Sequence, residues 1–145
     1  IDELKHEISI VKNFKKIFLI ILGKGFEKYG AEIEKNQQVL LALSDIMIET
    51  YFSESTLKRT IKNIERSSVN NQSYQIEMAK LYIYEASQTI LKKSKDIIIS
   101  AVDNKIQKDL LSQVEQLVSY QENPNIFAIK KSIANKIISE NKYCF

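Results

Sequence analysis

Proline occurs once and glycine three times in 145 residues. Several strands joined by tight turns would need many more of both, so sheet folds are excluded and a few long helices are expected. Cysteine occurs once, at Cys144. One cysteine builds no intrachain disulfide framework and points to a reducing, cytoplasmic setting. Histidine also occurs once, at His6. Ser-His-Asp and Cys-His sites each place a histidine beside the nucleophile. Here the single histidine and the single cysteine lie at opposite ends. His6 therefore reads as a surface residue, and Cys144 as a packing residue or inert tail. No fully apolar run exceeds the six residues Ile17 to Leu22. A spanning helix takes about 20 residues, and no small-residue cleavage pattern of a signal peptide follows.

Strong charge of one sign is missing as well. The formal net charge is +3, with a pI near 8.8. Lys and Arg are balanced by Asp and Glu to within two charges in each segment of the chain, although Lys58, Arg59, Lys62 and Arg66 load the last turns of one helix. A nucleic-acid binder concentrates its charge in one patch, so no nucleic-acid partner is expected.

What is present is helical patterning. Hydrophobic residues make up 44% of the chain, enough for one globular core. Leu4, Ile8, Val11, Phe14, Phe18 and Ile21 recur at three- and four-residue spacing. This gives a first helix with Asp2 as N-cap, ending near Tyr29 with Gly30 as C-cap. Gly23 and Gly25 weaken that helix and are candidates for close backbone approach by another element.

A second helix is expected from near Glu32, with Glu32 and Glu34 at its positive dipole end. Lys35 to Ile64 has no Gly or Pro and is apolar on most sides between Val39 and Phe52. Such a helix is surrounded by partners, and it reads as the central one. Two burials compete: five helices bury their own member, which is the simpler reading, or the apolar middle packs on something outside the bundle. Ala42, Ser44 and Ser55 are small enough for close helix crossing. Glu54 and Lys58 form a favourable i,i+4 pair.

Ser67 to Asn71 is a polar break, with Asn71 or Ser73 as the next N-cap. A third helix runs to about Ser100, keeping the β-branched Ile97-Ile98-Ile99 helical. Tyr82 and Tyr84 fall on different faces of it. Asp103 caps a fourth helix carrying Ile106, Leu110, Val114 and Val118. The Pro124 turn precedes a fifth, with Ile126, Ile129, Ile133, Ile137 and Ile138. The expected fold is all-α: an up-down bundle of four to five helices, without sheet, with helix over more than three quarters of the chain. Tyr143-Cys144-Phe145 either docks or frays.

A di-iron bundle needs inward Glu-x-x-His pairs, and a zinc site needs more Cys and His than the chain has. Gly23, Gly25 and Gly30 follow no strand and match no phosphate-binding loop. Asp45, Glu49 and Glu54 read as solvated surface rather than as a general base with its partner. No catalytic, cofactor-binding or metal-ligating residue is assigned.

Over Leu41 to Thr60, LALSDIMIETYFSESTLKRT, the chain resembles the C-terminal region of acyl-CoA dehydrogenases, above all the long, very-long-chain-like members. The pattern LxDxxIxxYxxESxLxR is met by Leu43, Asp45, Ile48, Tyr51, Glu54, Ser55, Leu57 and Arg59. QIEMAKLYIYEASQTILKKSKDII and the end, IANKIISENKYCF, are similar to a bacterial branch, so the resemblance covers essentially the whole chain. It implies a parent FAD enzyme of fatty-acid β-oxidation that turns acyl-CoA into 2-enoyl-CoA. In that chemistry a glutamate takes the α-proton and the flavin takes the hydride. None of those motifs falls on the present residues, so this stretch is expected to bind no cofactor itself. The start at Ile1 rather than Met fits a single helical domain, 1–145, cut from the C-terminus of a longer chain.

The partners implied are the rest of the dehydrogenase chain, with a homodimer as the other choice. Two further readings compete. One is a free-standing helical interaction or dimerisation module. The other is a peripheral membrane binder using the Lys-rich first helix with Phe14, Phe18 and Ile17 to Leu22, although membrane association is expected to be weak or absent.

Overall fold

The computed structural model describes residues 2–66 and 72–145. The apolar spacing becomes five α-helices among these residues: α1 (Lys5–Tyr29), α2 (Gln37–Arg66), α3 (Gln72–Ala101), α4 (Asn104–Leu117) and α5 (Ile126–Glu140). Helix covers more than three quarters of the chain, and no strand occurs among the described residues.

Helices α1 to α4 run antiparallel in succession, and the cross-links set their register. Lys15 meets Glu54 between α1 and α2, and Asp45 meets Lys93 between α2 and α3. Lys95 meets Glu115 between α3 and α4. Helix α5 also lies antiparallel to α3, through Lys130 to Glu85 and Ser132 to Glu77. Thus α4 covers the second half of α3 and α5 covers the first half. The two short helices run end to end as one broken column.

The central helix is α3, not α2. Helices α1, α2, α4 and α5 and the N-terminal turn all pack on α3. Its buried residues, Ala79, Ile83, Ala86, Ser87, Ile90, Ser94, Ile97 and Ile98, mix bulk with small side chains. The small ones let neighbouring helices close in, while the isoleucines fill the space between them. Among the described residues α2 packs on α1, α3 and the short segment before it. The expectation that Lys35 to Ile64 is the enclosed member is therefore corrected. A helix flanked on two sides leaves its third side open, whatever its composition.

The element boundaries show where local chemistry decided. Asp2 starts a 3₁₀ turn, Asp2–Leu4, and Leu4 rather than Asp2 is the N-cap, without a side-chain cap bond. Gly30 closes α1 as expected: its φ of 51° is left-handed, and its N–H donates to the Phe26 carbonyl.

Helix α2 does not start at Glu32. Gly30–Lys35 forms a 3₁₀ segment, pinned by buried Ile33. Asn36 then turns the chain: its N–H donates to the Ile33 carbonyl, its side chain donates to the Glu32 carbonyl, and its own carbonyl accepts from Leu40. Glu32 and Glu34 consequently precede α2 instead of lying in its first turn. Gly25 faces Ile33 and Leu43 at ordinary contact distance, and Gly23 faces open space. Neither glycine admits a neighbouring backbone.

Asp103 caps α4 through its backbone, accepting from Ile106 and Gln107, with no side-chain cap bond. Asn125 caps α5, its side chain accepting from the Ala128 N–H. The break at Ser67 to Asn71, with Asn71 as a cap, lies outside the described residues, and Ser73 sits inside α3. Of the expected α5 stripe only Ile129 is buried, while Ile137 and Ile138 are exposed. Ile106 on α4 is exposed too.

The tail docks by its last residue. The Phe145 ring lies 5.7 Å from Tyr74 and 5.9 Å from Tyr143, whose own side chain faces outward.

If α3 is the hub, truncation there and on the outer side of α2 will differ sharply. Ile83→Ala, at a fully buried position, should lose about 2–5 kcal/mol in urea unfolding of the 145-residue chain. Ile48→Ala, on the open side of α2, should stay within about 0.5 kcal/mol. Equal losses would show that α2 is enclosed after all.

Candidate functional site

The carboxylates singled out on α2 do not converge. Asp45 pairs with Lys93 at 3.2 Å. Glu49 accepts from the Tyr82 hydroxyl at 3.1 Å. Glu54 pairs with Lys15 at 2.8 Å and with Lys58 at 2.9 Å. Each is engaged with a different partner: Asp45 and Glu49 turn to α3, and Glu54 turns to α1 and to its own helix. His6 is half-buried in the first turn of α1, far along the chain from half-buried Cys144. Among the described residues no group of three or more His, Cys, Asp or Glu is placed to hold a metal ion.

One buried charge escaped the sequence reading. Glu7 is only 3% exposed, and its Oε2 has no hydrogen-bond partner. The Tyr120 hydroxyl is likewise without a partner, and burial, then the nearby Glu7 carboxylate, pushes its phenol well above the usual range. The spacing 4, 7, 11, 14 carried the signal, because Glu7 stands on the stripe of Leu4, Val11 and Phe14. Tyr84 packs its ring 6.0 Å from Tyr120, while Tyr82 turns to Glu49. The two tyrosines thus face different neighbours, and both are half-buried.

The feature that stands out is the open side of α2. Its core side carries Val39, Leu43, Ile46, Ser53 and Leu57. Opposite them stand Leu41, Ser44, Ile48, Tyr51, Phe52 and Ser55, at helical three- and four-residue spacing. Leu41 and Tyr51 are each 65% exposed, and Ile48 and Phe52 about half. Ala42 faces the core, so only Ser44 and Ser55 of the expected small residues lie on the open side. The Tyr51 and Phe52 rings meet edge to face at 5.6 Å.

Met47, beside this row, borders a hollow of about 290 Å³ shared with α1. Phe18, Leu19, Met47, Thr50 and Tyr51 line it, with the Lys15–Glu54 pair at its rim. Leu19 is 66% exposed. A run of large apolar side chains on one helix face marks an interaction surface more than a scatter of single exposed residues does.

The membrane reading meets a direct obstacle. Phe14, Ile17 and Ile21 are fully buried in the core, so the apolar run of α1 is largely spent inside. Among the described residues no helix is long and apolar enough to cross a membrane.

Two ionisations test this arrangement. Hydrogen bonds from Lys15, then Lys58, hold the Glu54 carboxyl below the usual glutamate range. A depressed carboxylate adds stability above its unfolded pKa, and that increment is lost as the pH falls through its folded pKa. Glu54→Gln should therefore cost under about 1 kcal/mol at neutral pH, as exposed pairs do. The difference should vanish in acid, below the ordinary range near 4.3. A cost that persisted in acid would exclude the ion pairs as its cause.

Burial, then the Glu49 carboxylate, pushes the Tyr82 phenol up to about 12. Its contribution to stability is complete below about 10 and lost as the pH rises through the folded value. Phenolate absorbance, taken as the difference from Tyr82→Phe, should show this late ionisation. Glu49→Gln should lower it without restoring the ordinary value, because burial remains. Ionisation of Tyr82 near the ordinary value in the unaltered chain would refute the contact.

Comparison with known proteins identifies the family of this bundle. A family model described as "Acyl-CoA dehydrogenase, C-terminal domain" matches residues 13–116, from α1 to the end of α4. A probable acyl-CoA dehydrogenase from Bacillus subtilis (strain 168) is 28% identical over 140 residues, covering 97% of this chain and 23% of that protein. The crystal structure of acyl-CoA dehydrogenase complexed with FAD from Bacillus anthracis superposes with a TM-score of 0.92 at 27% identity. That match covers 98% of this chain and 25% of the other. The chain spans about a quarter of the length of these relatives. The stretch Leu41 to Thr60, the α2–α3 hairpin and the bundle around it are thus shared features, and the chain belongs to the acyl-CoA dehydrogenase C-terminal domain family.

Proposed function

We propose that this chain is the C-terminal accessory domain of an FAD-dependent, cytoplasmic acyl-CoA dehydrogenase of fatty-acid oxidation. Its role is structural: it covers part of the catalytic body and carries out no chemistry of its own. One observation carries this reading. The row Leu41, Ile48, Tyr51 and Phe52 is exposed on a domain whose relatives are about four times as long. A large apolar row that the bundle itself leaves open needs a neighbour, and the rest of the same enzyme is the nearest one.

FAD is bound by the relative from Bacillus anthracis. The described residues of this chain do not fit it. Their hollows are shallow clefts between adjacent helices, without a glycine-rich turn for a pyrophosphate. One of about 580 Å³, between the start of α2 and the end of α3, is bordered by charges already satisfied within the domain. Lys93 pairs with Asp45, and Asp96 with Lys92. No step of flavin chemistry is assigned here.

The test is the gene product. Its reading frame should extend upstream to a polypeptide about four times this length, in proportion to the relatives. Purified whole, that protein should hold FAD and reduce an artificial electron acceptor when given acyl-CoA. A frame beginning near Ile1, with no dehydrogenase sequence before it, would overturn the proposal.

A further inference from the structure

We infer that the hollow between α1 and α2 is a socket for one large apolar side chain from the N-terminal part of the same enzyme, and that carboxylates beside that side chain meet the basic last turns of α2. The inference rests on the accessory-domain reading and adds to it a particular point of attachment and the chemistry of its occupant.

The socket itself supplies the first argument. At about 290 Å³ it would hold about ten waters at roughly 30 Å³ each. Those waters would find few partners. The Thr50 hydroxyl already donates to the Ile46 carbonyl at 2.7 Å. Lys15 and Glu54 at the rim already hold each other. The remaining walls, Phe18, Leu19, Met47 and Tyr51, are mainly hydrocarbon and ring. Water so poorly bonded is displaced favourably by an apolar group. Met47 supplies a flexible, polarisable wall that adjusts to the shape that enters.

The second argument is the continuation of the row along α2. After Phe52 and Ser55 the same three- and four-residue spacing brings Arg59, Lys62 and Arg66. All three are exposed, and none has an ion pair among the described residues. One face of one helix is thus apolar in its first half and cationic in its second. The occupant that matches presents apolar bulk and then acids in the same direction.

A second copy of the chain matches less well. Packed antiparallel on the same row, it would set Arg59 and Lys62 against Gln37 and Gln38, and the carboxylates beyond them, Glu32 and Glu34, precede α2, with Glu32 already paired to Lys35. The missing three quarters of a relative's length supply the alternative occupant.

Thiol labelling tests this. In a Cys144→Ser background, Leu19→Cys and Met47→Cys report on the socket, Ile48→Cys on the adjoining row, and Lys12→Cys on an exposed position elsewhere on α1. Each is labelled with a maleimide in the 145-residue chain and in the full-length enzyme, with circular dichroism to verify the fold. The socket thiols should react at least about tenfold more slowly in the full-length enzyme, as buried groups do, with Lys12→Cys unchanged. Arg59→Glu with Lys62→Glu and Arg66→Glu should then restore fast labelling at Met47→Cys.

Protection of Ile48→Cys alone would overturn the socket and leave the docking reading standing. No protection anywhere would overturn both. Protection that grows with concentration in the 145-residue chain would assign the surface to a second copy and overturn the inference. Unchanged protection in the charge-reversed variant would remove the acidic partner.

Discussion

Helix α3 must serve every other helix of the bundle at once, and the rest of the structure follows from how it does so. A helix has a limited circumference. To carry α1, α2, α4 and α5 it must divide its length as well as its faces. The division is visible in the cross-links: Lys95 and Tyr84 reach toward α4 and the turn after it, while Glu85, Glu77 and Tyr74 reach toward α5 and the tail. Isoleucines at 83, 90, 97 and 98 give bulk to the middle, and Ala79, Ala86, Ser87 and Ser94 give the clearance. Ser87 returns its hydroxyl to the Tyr84 carbonyl, so that small polar residue adds no unsatisfied donor. The Ser94 and Ser53 hydroxyls, by contrast, remain buried without partners.

Sharing of this kind explains what could be read in the amino-acid order. Helix number, direction and most boundaries follow from spacing and from rare breakers. Gly30, Asp103 and the Pro124 turn all fall at helix ends, and Ile97-Ile98-Ile99 stays helical, with no strand among the described residues to pair with it. What spacing does not contain is which helix is the hub. Helix α2 is apolar around much of its circumference in the middle, and that local run points to α2, although over their whole lengths α3 is the more apolar and the less one-sided of the two. Apolar area, however, records contact with any partner, inside the chain or outside it. Helix α2 turns one side to α1 and α3 and leaves the other open. The same ambiguity hid the 3₁₀ segment before α2. Glu32 and Glu34 look like first-turn acids, but Ile33 finds a place beside Gly25 and holds the chain out of α-helical geometry.

The charged residues show a related limit. Glu54 with Lys58 was legible because both partners lie on one helix, four residues apart. The second partner, Lys15, comes from another helix and needs the fold. Glu49 with Tyr82 and Asp45 with Lys93 likewise join α2 to α3. These links dispose of the carboxylates as a catalytic set for a positive reason: each has a stabilising partner. Exposed pairs of this type add little energy, typically under about 1 kcal/mol. Their use here is to set register between helices whose apolar contacts tolerate sliding. Glu7 is the opposite case, a carboxylate on the core stripe that earns no such partner, beside a tyrosine hydroxyl in the same condition. Such a pair lowers stability without setting register, since an unsatisfied buried polar group costs about 1–3 kcal/mol.

The two halves of α2 can then be understood together. A docking face that was apolar throughout would bind many surfaces, and a basic face alone would bind any acid. Placing Leu41, Ile48, Tyr51 and Phe52 ahead of Arg59, Lys62 and Arg66 on one row makes the helix directional, because a partner must match the change from hydrocarbon to cation at the right distance. The pattern on which the family resemblance rests, from Leu43 through Tyr51 and Glu54 to Arg59, runs across that change. It includes core residues such as Leu43 and Leu57, bundle links such as Asp45 and Glu54, and open-row residues such as Ile48, Tyr51, Ser55 and Arg59. A stretch that only built the bundle would need the first two kinds. The presence of the third on the same stretch fits the proposed docking, in which the residues that fold the domain and the residues that would attach it share one helix that is held on α3.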